Sequence, residues 1–153
     1  VPFTPVAIAA GSNVGDRHGH LDWAFAWLKG RLVSFRQSSR ILTEPVDVLG
    51  NQPAYLNAVV TGMTQQSPED LLAMLHELET LRGRVRAVPR TPRTLDLDLI
   101  FYGNLVMNTP ALVLPHPRFR QRRFVLEPLA EIAPNWVDPV THRTVAGLLA
   151  ALA

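Results

Sequence analysis

From Leu95 to Leu99 leucine and aspartate alternate residue by residue, and the run continues as Ile100-Phe101-Tyr102 without a polar break. Period two is the period of a β-strand, so Asp96 and Asp98 leave one face while Leu95, Leu97 and Leu99 leave the other. The apolar continuation marks a central strand rather than a solvated edge, and hence a fold built around a sheet. Two acids on one strand face stand roughly 7 Å apart and repel by about 2 kcal/mol at an effective dielectric of roughly 20. A surface strand tolerates that repulsion in water, whereas a central strand calls for a cation. Carboxylate oxygens suit hard divalent ions such as Mg²⁺.

Just upstream, Arg82, Arg84, Arg86, Arg90 and Arg93 fall within twelve residues. Carboxylates hold Mg²⁺, Mg²⁺ holds phosphate oxygens, and guanidinium groups take the remaining oxygens through bidentate, charge-assisted bonds. Together these residues describe a polyphosphate site, although any one arginine also suits the C-terminal end of a helix dipole. Of the fifteen Lys and Arg residues only Lys29 is lysine, and Gly30 follows it. No Gly-Lys-Ser/Thr motif exists, which excludes a Walker-type nucleotide loop.

A chain of 153 residues that is 47% hydrophobic fits a single domain over residues 1–153 with one core. The absence of cysteine excludes disulfides and thiolate chemistry and suits a reducing compartment. No run is long and apolar enough for a membrane span, and the N-terminal residues do not read as a leader peptide. A soluble, cytoplasmic protein is expected. Net charge is only +2, but Arg118, Arg120, Arg122 and Arg123 form a second basic cluster. It reads either as an unspecific patch or as a nucleic-acid contact.

Val6 to Ala10 reads as a buried first strand closed by a Gly11-Ser12-Asn13 turn. A helix follows from about Arg17 to Gly30, with Leu21, Ala24, Phe25 and Leu28 at helical spacing and Trp23 and Trp27 on a second row. His18 and His20 lie at its start without a metal-ligand spacing. Leu32 to Thr43 reads as one long strand, and Glu44 to Pro53 as a functional loop. From Tyr55 to Met63, alternation puts Tyr55, Asn57, Val59 and Thr61 on one face and Leu56, Ala58 and Val60 on the other. Ser67 caps a second helix with Pro68 in its first turn, and Leu71, Met74, Leu75 and Leu78 form the buried stripe up to Gly83. After the acidic strand come a Gly103-Asn104 turn, a return strand near Leu105 to Met107, helical chain past Pro117, and a last helix over 145–152. This order predicts an α+β fold with a ferredoxin-like βαββαβ core, an antiparallel sheet with helices packed on one face, and a C-terminal helical extension.

Gly83-Arg84-Val85-Arg86, Pro92-Arg93-Thr94-Leu95-Asp96-Leu97-Asp98, Leu114-Pro115-His116-Pro117-Arg118 and the stretch from Arg122 to Pro134 resemble the 6-hydroxymethyl-7,8-dihydropterin pyrophosphokinases of folate biosynthesis. Ala9-Ala10-Gly11-Ser12-Asn13 and Tyr55-Leu56-Asn57-Ala58 fit the same family, and the resemblance runs from about Val6 to Pro134. It implies transfer of a pyrophosphoryl group from ATP to the pterin hydroxymethyl, releasing AMP. In family terms Asp96 and Asp98 hold two Mg²⁺ ions, and Arg84 and Arg93 grip the phosphates as catalytic residues. Arg86, Arg90, His116 and Arg122 are further phosphate contacts, while Leu72, His76, Glu79 and the backbone at Leu99 line the adenosine. Gly11, Thr43, Val46, Tyr55, Asn57 and Phe124 are implied for the pterin pocket, with Asn57 offering both a donor and an acceptor. ATP is the co-substrate, and no nucleic acid, membrane or second subunit is expected.

One stretch departs from the family. Only Thr91 lies between Arg90 and Pro92, where relatives carry an aromatic and a small residue. Two other classes share some of these features: a ferredoxin-like nucleic-acid binder, and a metal-dependent phosphotransferase acting on another small alcohol.

Overall fold

The computed structural model describes residues 2–44, 53–83 and 94–152. Nine of the sheet's residues form the first strand, β1 (Thr4–Ser12), which continues through Gly11 and Ser12 instead of turning there. Pairing decides this: Gly11 and Ser12 lie opposite Asn57 and Leu56 of β4 (Tyr55–Thr64). Between them come α1 (Arg17–Lys29), β2 (Val33–Gln37) and β3 (Ile41–Thr43). The remaining elements are α2 (Pro68–Leu81), β5 (Asp96–Tyr102), the hairpin β6 (Met107–Asn108) and β7 (Val113–Leu114), a 3-10 turn at Phe119–Gln121, α3 (Arg123–Ile132) and α4 (Val145–Ala151).

Helix starts follow local chemistry. Asp16 accepts the Gly19 N–H at 3.0 Å and Ser67 accepts that of Asp70 at 3.1 Å, each satisfying an orphan donor of the first turn. Pro68 occupies the position where a missing N–H costs nothing. At the other end of α2, Gly83 takes φ +89°, a left-handed turn that a side chain would strain.

The expected long strand from Leu32 to Thr43 is two strands. Both β2 and β3 pair antiparallel with β4, but Ser38–Arg40 leave the ladder. The Ser38 hydroxyl accepts the Val59 N–H at 2.9 Å, and the Glu131 carboxylate of α3 takes the Ser39 N–H. The sheet then runs β2-β4-β1-β5, all antiparallel, with β3 also on β4. This is the predicted ferredoxin-like order.

Alternation distributes the core over two faces. Val6, Ile8, Ala10, Leu56, Ala58, Val60, Leu95, Leu97 and Leu99 pack against Leu21 and Leu28 of α1 and Leu71, Leu75 and Leu78 of α2. Ala7, Val59, Ile100 and Phe101 meet α3 and α4 through Val125, Leu126, Leu129, Val145 and Leu148. Thus α1 and α2 cover one face as expected, while the C-terminal extension closes the other. The connection between α3 and α4 is locked by Asp138, a fully buried carboxylate that Arg120 grips through two nitrogens and to which Thr141 and Val140 also donate. Among the described residues no helix is long and apolar enough to cross a membrane.

Candidate active site

Strand register builds the site. On β4 Asn57 lies opposite Gly11 of β1, and Gly11 lies opposite Asp96 of β5. Directly paired residues in an antiparallel sheet project from the same face, so Asn57, Gly11 and Asp96 form one row across three strands. Val59, Ala9 and Asp98 form the next. The two carboxylates therefore leave the same face, and both are half-buried.

Gly11 supplies the gap in the row. A Cβ there would stand 3.3 Å from Asn57 Oδ1 and 3.5 Å from Tyr55 Cδ1. With only hydrogen at that position, a slot stays open between Asn57 and Asp96, which two strand spacings set roughly 10 Å apart. The expectation that Asn57 offers both a donor and an acceptor changes in the structure. Its amide nitrogen is engaged by Thr43 Oγ1 at 2.9 Å, by the Tyr55 carbonyl at 3.2 Å and by the Ile41 carbonyl at 3.3 Å. The oxygen faces Gly11, so toward the slot Asn57 is an acceptor.

Beyond the outer edge of β5 lies a cavity of about 230 Å³ between Leu72 and His76 of α2 and the Pro110–Val113 stretch of the hairpin, with Leu97, Asp98, Leu99 and His116 on its walls. Asp98 thus borders both the sheet face and the cavity. His116 is fixed there by two bonds: its backbone N–H donates to the Ile100 carbonyl at 2.9 Å, and its ring Nδ1 accepts the Arg118 N–H at 3.1 Å. The second bond selects the tautomer, leaving the proton on Nε2 as a donor. Burial first, and then the positive charge of Arg122, lowers the His116 pKa from 6.5 to about 4, against the pull of Asp96. The ring is neutral at physiological pH. Arg122 sits 5.5 Å over the ring of Phe124, which is half-buried at the start of α3 against the second core.

The donor set fits Mg²⁺. Asp96 and Asp98 present two half-buried carboxylates from one strand face, and phosphate and water suit the remaining positions around such an ion. Mg²⁺ dehydrates reluctantly and is commonly held in that way.

Other expected residues take different places. Glu79 is fully buried on α2, and its carboxylate accepts the Leu97 N–H at 2.7 Å, between the two acids of β5. Arg82 turns away from the acids toward α1, where it meets His20 and lies 5.0 Å over the ring of Trp23. Val46, Arg84, Arg86, Arg90, Arg93 and the shortened stretch around Thr91 lie outside the described residues. Sequence reasoning missed three ties. Arg17 donates to the Ala54 carbonyl at 2.7 Å and Asn13 to that of Pro53 at 3.5 Å, fixing the approach to Tyr55. Thr94 donates to the Arg82 carbonyl. Each joins residues far apart in sequence, so no periodicity announces it.

Comparison with known proteins bears on this arrangement. The sequence model of the 7,8-dihydro-6-hydroxymethylpterin-pyrophosphokinase family matches residues 7–134. A 2-amino-4-hydroxy-6-hydroxymethyldihydropteridine pyrophosphokinase of Bacillus subtilis is 40% identical over 127 residues, which cover 82% of this chain and 75% of that protein. Its Synechocystis counterpart is 49% identical over 98 residues, 64% of this chain and 50% of its own length. A folic acid synthesis protein of Pneumocystis carinii is 36% identical over 141 residues, 92% of this chain but 19% of that protein. The chain therefore spans between a fifth and a half of the length of several relatives. Among solved structures, an HPPK-DHPS crystal structure in complex with substrates superposes with a TM-score of 0.78 over 99% of this chain and 43% of that one, at 11% identity. At that identity the likeness establishes the fold.

Proposed function

We propose that this chain, which belongs to the 7,8-dihydro-6-hydroxymethylpterin-pyrophosphokinase family, transfers the terminal pyrophosphoryl group of ATP to the hydroxymethyl oxygen of 6-hydroxymethyl-7,8-dihydropterin. The observation that carries this reading is the row Asn57–Gly11–Asp96. A flat bicyclic ring fits a slot whose floor is glycine, with an amide acceptor and the Tyr55 side chain at one end and a carboxylate at the other. The ring edge meets Asn57 Oδ1, and the hydroxymethyl reaches toward Asp96 and Asp98. Thr43 acts through the bond that orients Asn57. Phe124, with Arg122 over its ring, borders the pterin side, and Val46 is a further contact from the sequence resemblance.

On the other side of Asp98, the cavity between α2 and the hairpin takes the nucleotide, with Leu72, His76 and the Leu99 backbone along it. The Nε2–H of neutral His116 and the guanidinium of Arg122 face phosphate oxygens, as do Arg84, Arg86, Arg90 and Arg93 by the family motif. Asp96 and Asp98 would hold two Mg²⁺ ions, which supply charge neutralisation and alignment of the triphosphate when bound. In the step the hydroxymethyl oxygen bonds to the β-phosphorus while the bond from that phosphorus to the α-bridging oxygen breaks. AMP leaves and the hydroxyl proton passes to solvent.

A nucleic-acid reading fares worse. The sheet face that would stack bases in a ferredoxin-like RNA binder carries two acids and is packed against α3 and α4. AMP release measured with and without Mg²⁺ and the dihydropterin tests the proposal. Release that requires both, and that falls to background in Asp96→Ala with the fold unchanged by circular dichroism, is expected. Turnover by Asp96→Ala at saturating Mg²⁺ would refute it.

A further inference from the structure

Three elements meet beside the acidic strand. The residue that caps the C-terminus of α2, Arg82, sends its guanidinium to α1, where Nη2 and Nε lie 2.8 and 3.2 Å from His20 Nδ1. The same group rests 5.0 Å over the ring of Trp23, one turn further along that helix. The Arg82 carbonyl, one of the orphan acceptors at a helix end, takes the hydroxyl of Thr94. Thr94 stands two residues before Asp96, and its neighbour Leu95 is fully buried. One turn back on α2, Glu79 holds the Leu97 N–H. The start of β5 is thus tied to the end of α2 at two points, and that end is tied to α1 through one imidazole.

We propose that His20 and Arg82 are positioning residues for the acidic strand: the neutral imidazole holds the guanidinium, and the Arg82 backbone holds Thr94 and so the setting of Asp96. This role rests on the reading of Asp96 and Asp98 as ligands of a Mg²⁺–triphosphate. Only an unprotonated Nδ1 can accept from Arg82. The groups facing His20 are Arg82 from α2, Asp16 from the turn before α1 and a backbone hydrogen bond at Val14. Burial and the Arg82 charge together keep the ring neutral more strongly than Asp16 opposes them, so its pKa lies below 6.5. Protonation removes the acceptor and sets two cations against each other, which frees the end of α2.

Three proteins test this: the wild type, His20→Ala, which deletes the acceptor, and His20→Gln, whose amide oxygen accepts at every pH. Amide hydrogen exchange at Asp96 and Leu97 reads the tie without any ligand. Calorimetry with Mg²⁺ and a non-hydrolysable ATP analogue reads its consequence. In His20→Ala, exchange at Asp96 and Leu97 should rise by about threefold or more while Val125 and Leu126 of α3 stay unchanged, and nucleotide affinity should fall about three- to tenfold. His20→Gln should restore both. As pH falls below 6.5, the wild type should lose affinity in a step that His20→Gln lacks. Unchanged exchange in His20→Ala, or altered exchange with unaltered affinity, overturns the proposal. Should even the wild type fail to bind the Mg²⁺ nucleotide, the functional reading falls and this role with it, and altered exchange in His20→Ala would then mark the contact as structural alone.

Discussion

Replacing Gly11 with alanine places one methyl group where the proposed pterin lies. The added Cβ meets Asn57 Oδ1 at 3.3 Å, Tyr55 Cδ1 at 3.5 Å and the Leu56 carbonyl at 3.7 Å, so only Asn57 has to give, and only by tenths of an ångström. Gly11 does not lie at positive φ, and alanine in a strand loses less backbone freedom on folding than glycine, a gain of about 0.4–1 kcal/mol that offsets the crowding. Stability should therefore stay within about 1 kcal/mol of the wild type. A ring seated on the glycine has no such latitude. It must rise off the row or displace Asn57, an overpacking cost of about 1–3 kcal/mol, or roughly 5- to 150-fold in dissociation constant. The cavity proposed for the nucleotide lies beyond β5 and does not include residue 11. Calorimetry should show weakened pterin binding in the presence of a non-hydrolysable ATP analogue, with binding of that analogue alone unchanged. Wild-type pterin affinity in a folded Gly11→Ala protein would refute the slot.

Arg17→Ala removes the bond to Ala54 and should raise the pterin KM about threefold to tenfold while sparing ATP, as steady-state kinetics would show. Because the folded-state pKa of His116 is lowered to about 4 from 6.5, the unfolded chain binds the extra proton between those values. Stability from this residue is present above about pH 6.5 and is lost as pH falls toward 4, and a His116→Gln protein should show a flatter fall of Tm over that window. Asp138→Ala deletes an acceptor of four hydrogen bonds within the C-terminal lock and should cost about 2–4 kcal/mol in denaturant unfolding, with activity intact under native conditions.

Residues whose sheet face is set by their own strand were legible in the sequence. The alternation at 95–99 and at 55–61 assigned Asp96, Asp98, Tyr55 and Asn57 to their faces because a sheet repeats every two residues. What a partner strand or helix decides was not legible. Nothing within Leu32 to Thr43 forecasts the break at Ser38–Arg40, which Glu131 and Val59 impose from far along the chain. The row Asn57–Gly11–Asp96 needs pairing register, which single strands do not encode. Arg82 looked like a member of the phosphate cluster by spacing, yet its side chain serves α1, because the turn at the end of α2 points it there. Likewise Asn57 displays an ordinary amide in sequence, and only the closeness of Thr43 shows that its nitrogen is committed.

Product identity tests the central claim most directly. The protein is incubated with Mg²⁺, ATP and 6-hydroxymethyl-7,8-dihydropterin, and the phosphorus species are followed by ³¹P NMR. Attack at the β-phosphorus by a hydroxyl placed beside Asp96 and Asp98 predicts AMP and the pterin diphosphate in equal amounts. Formation of ADP with a pterin monophosphate, or of ADP and inorganic phosphate with the pterin unchanged, would contradict it.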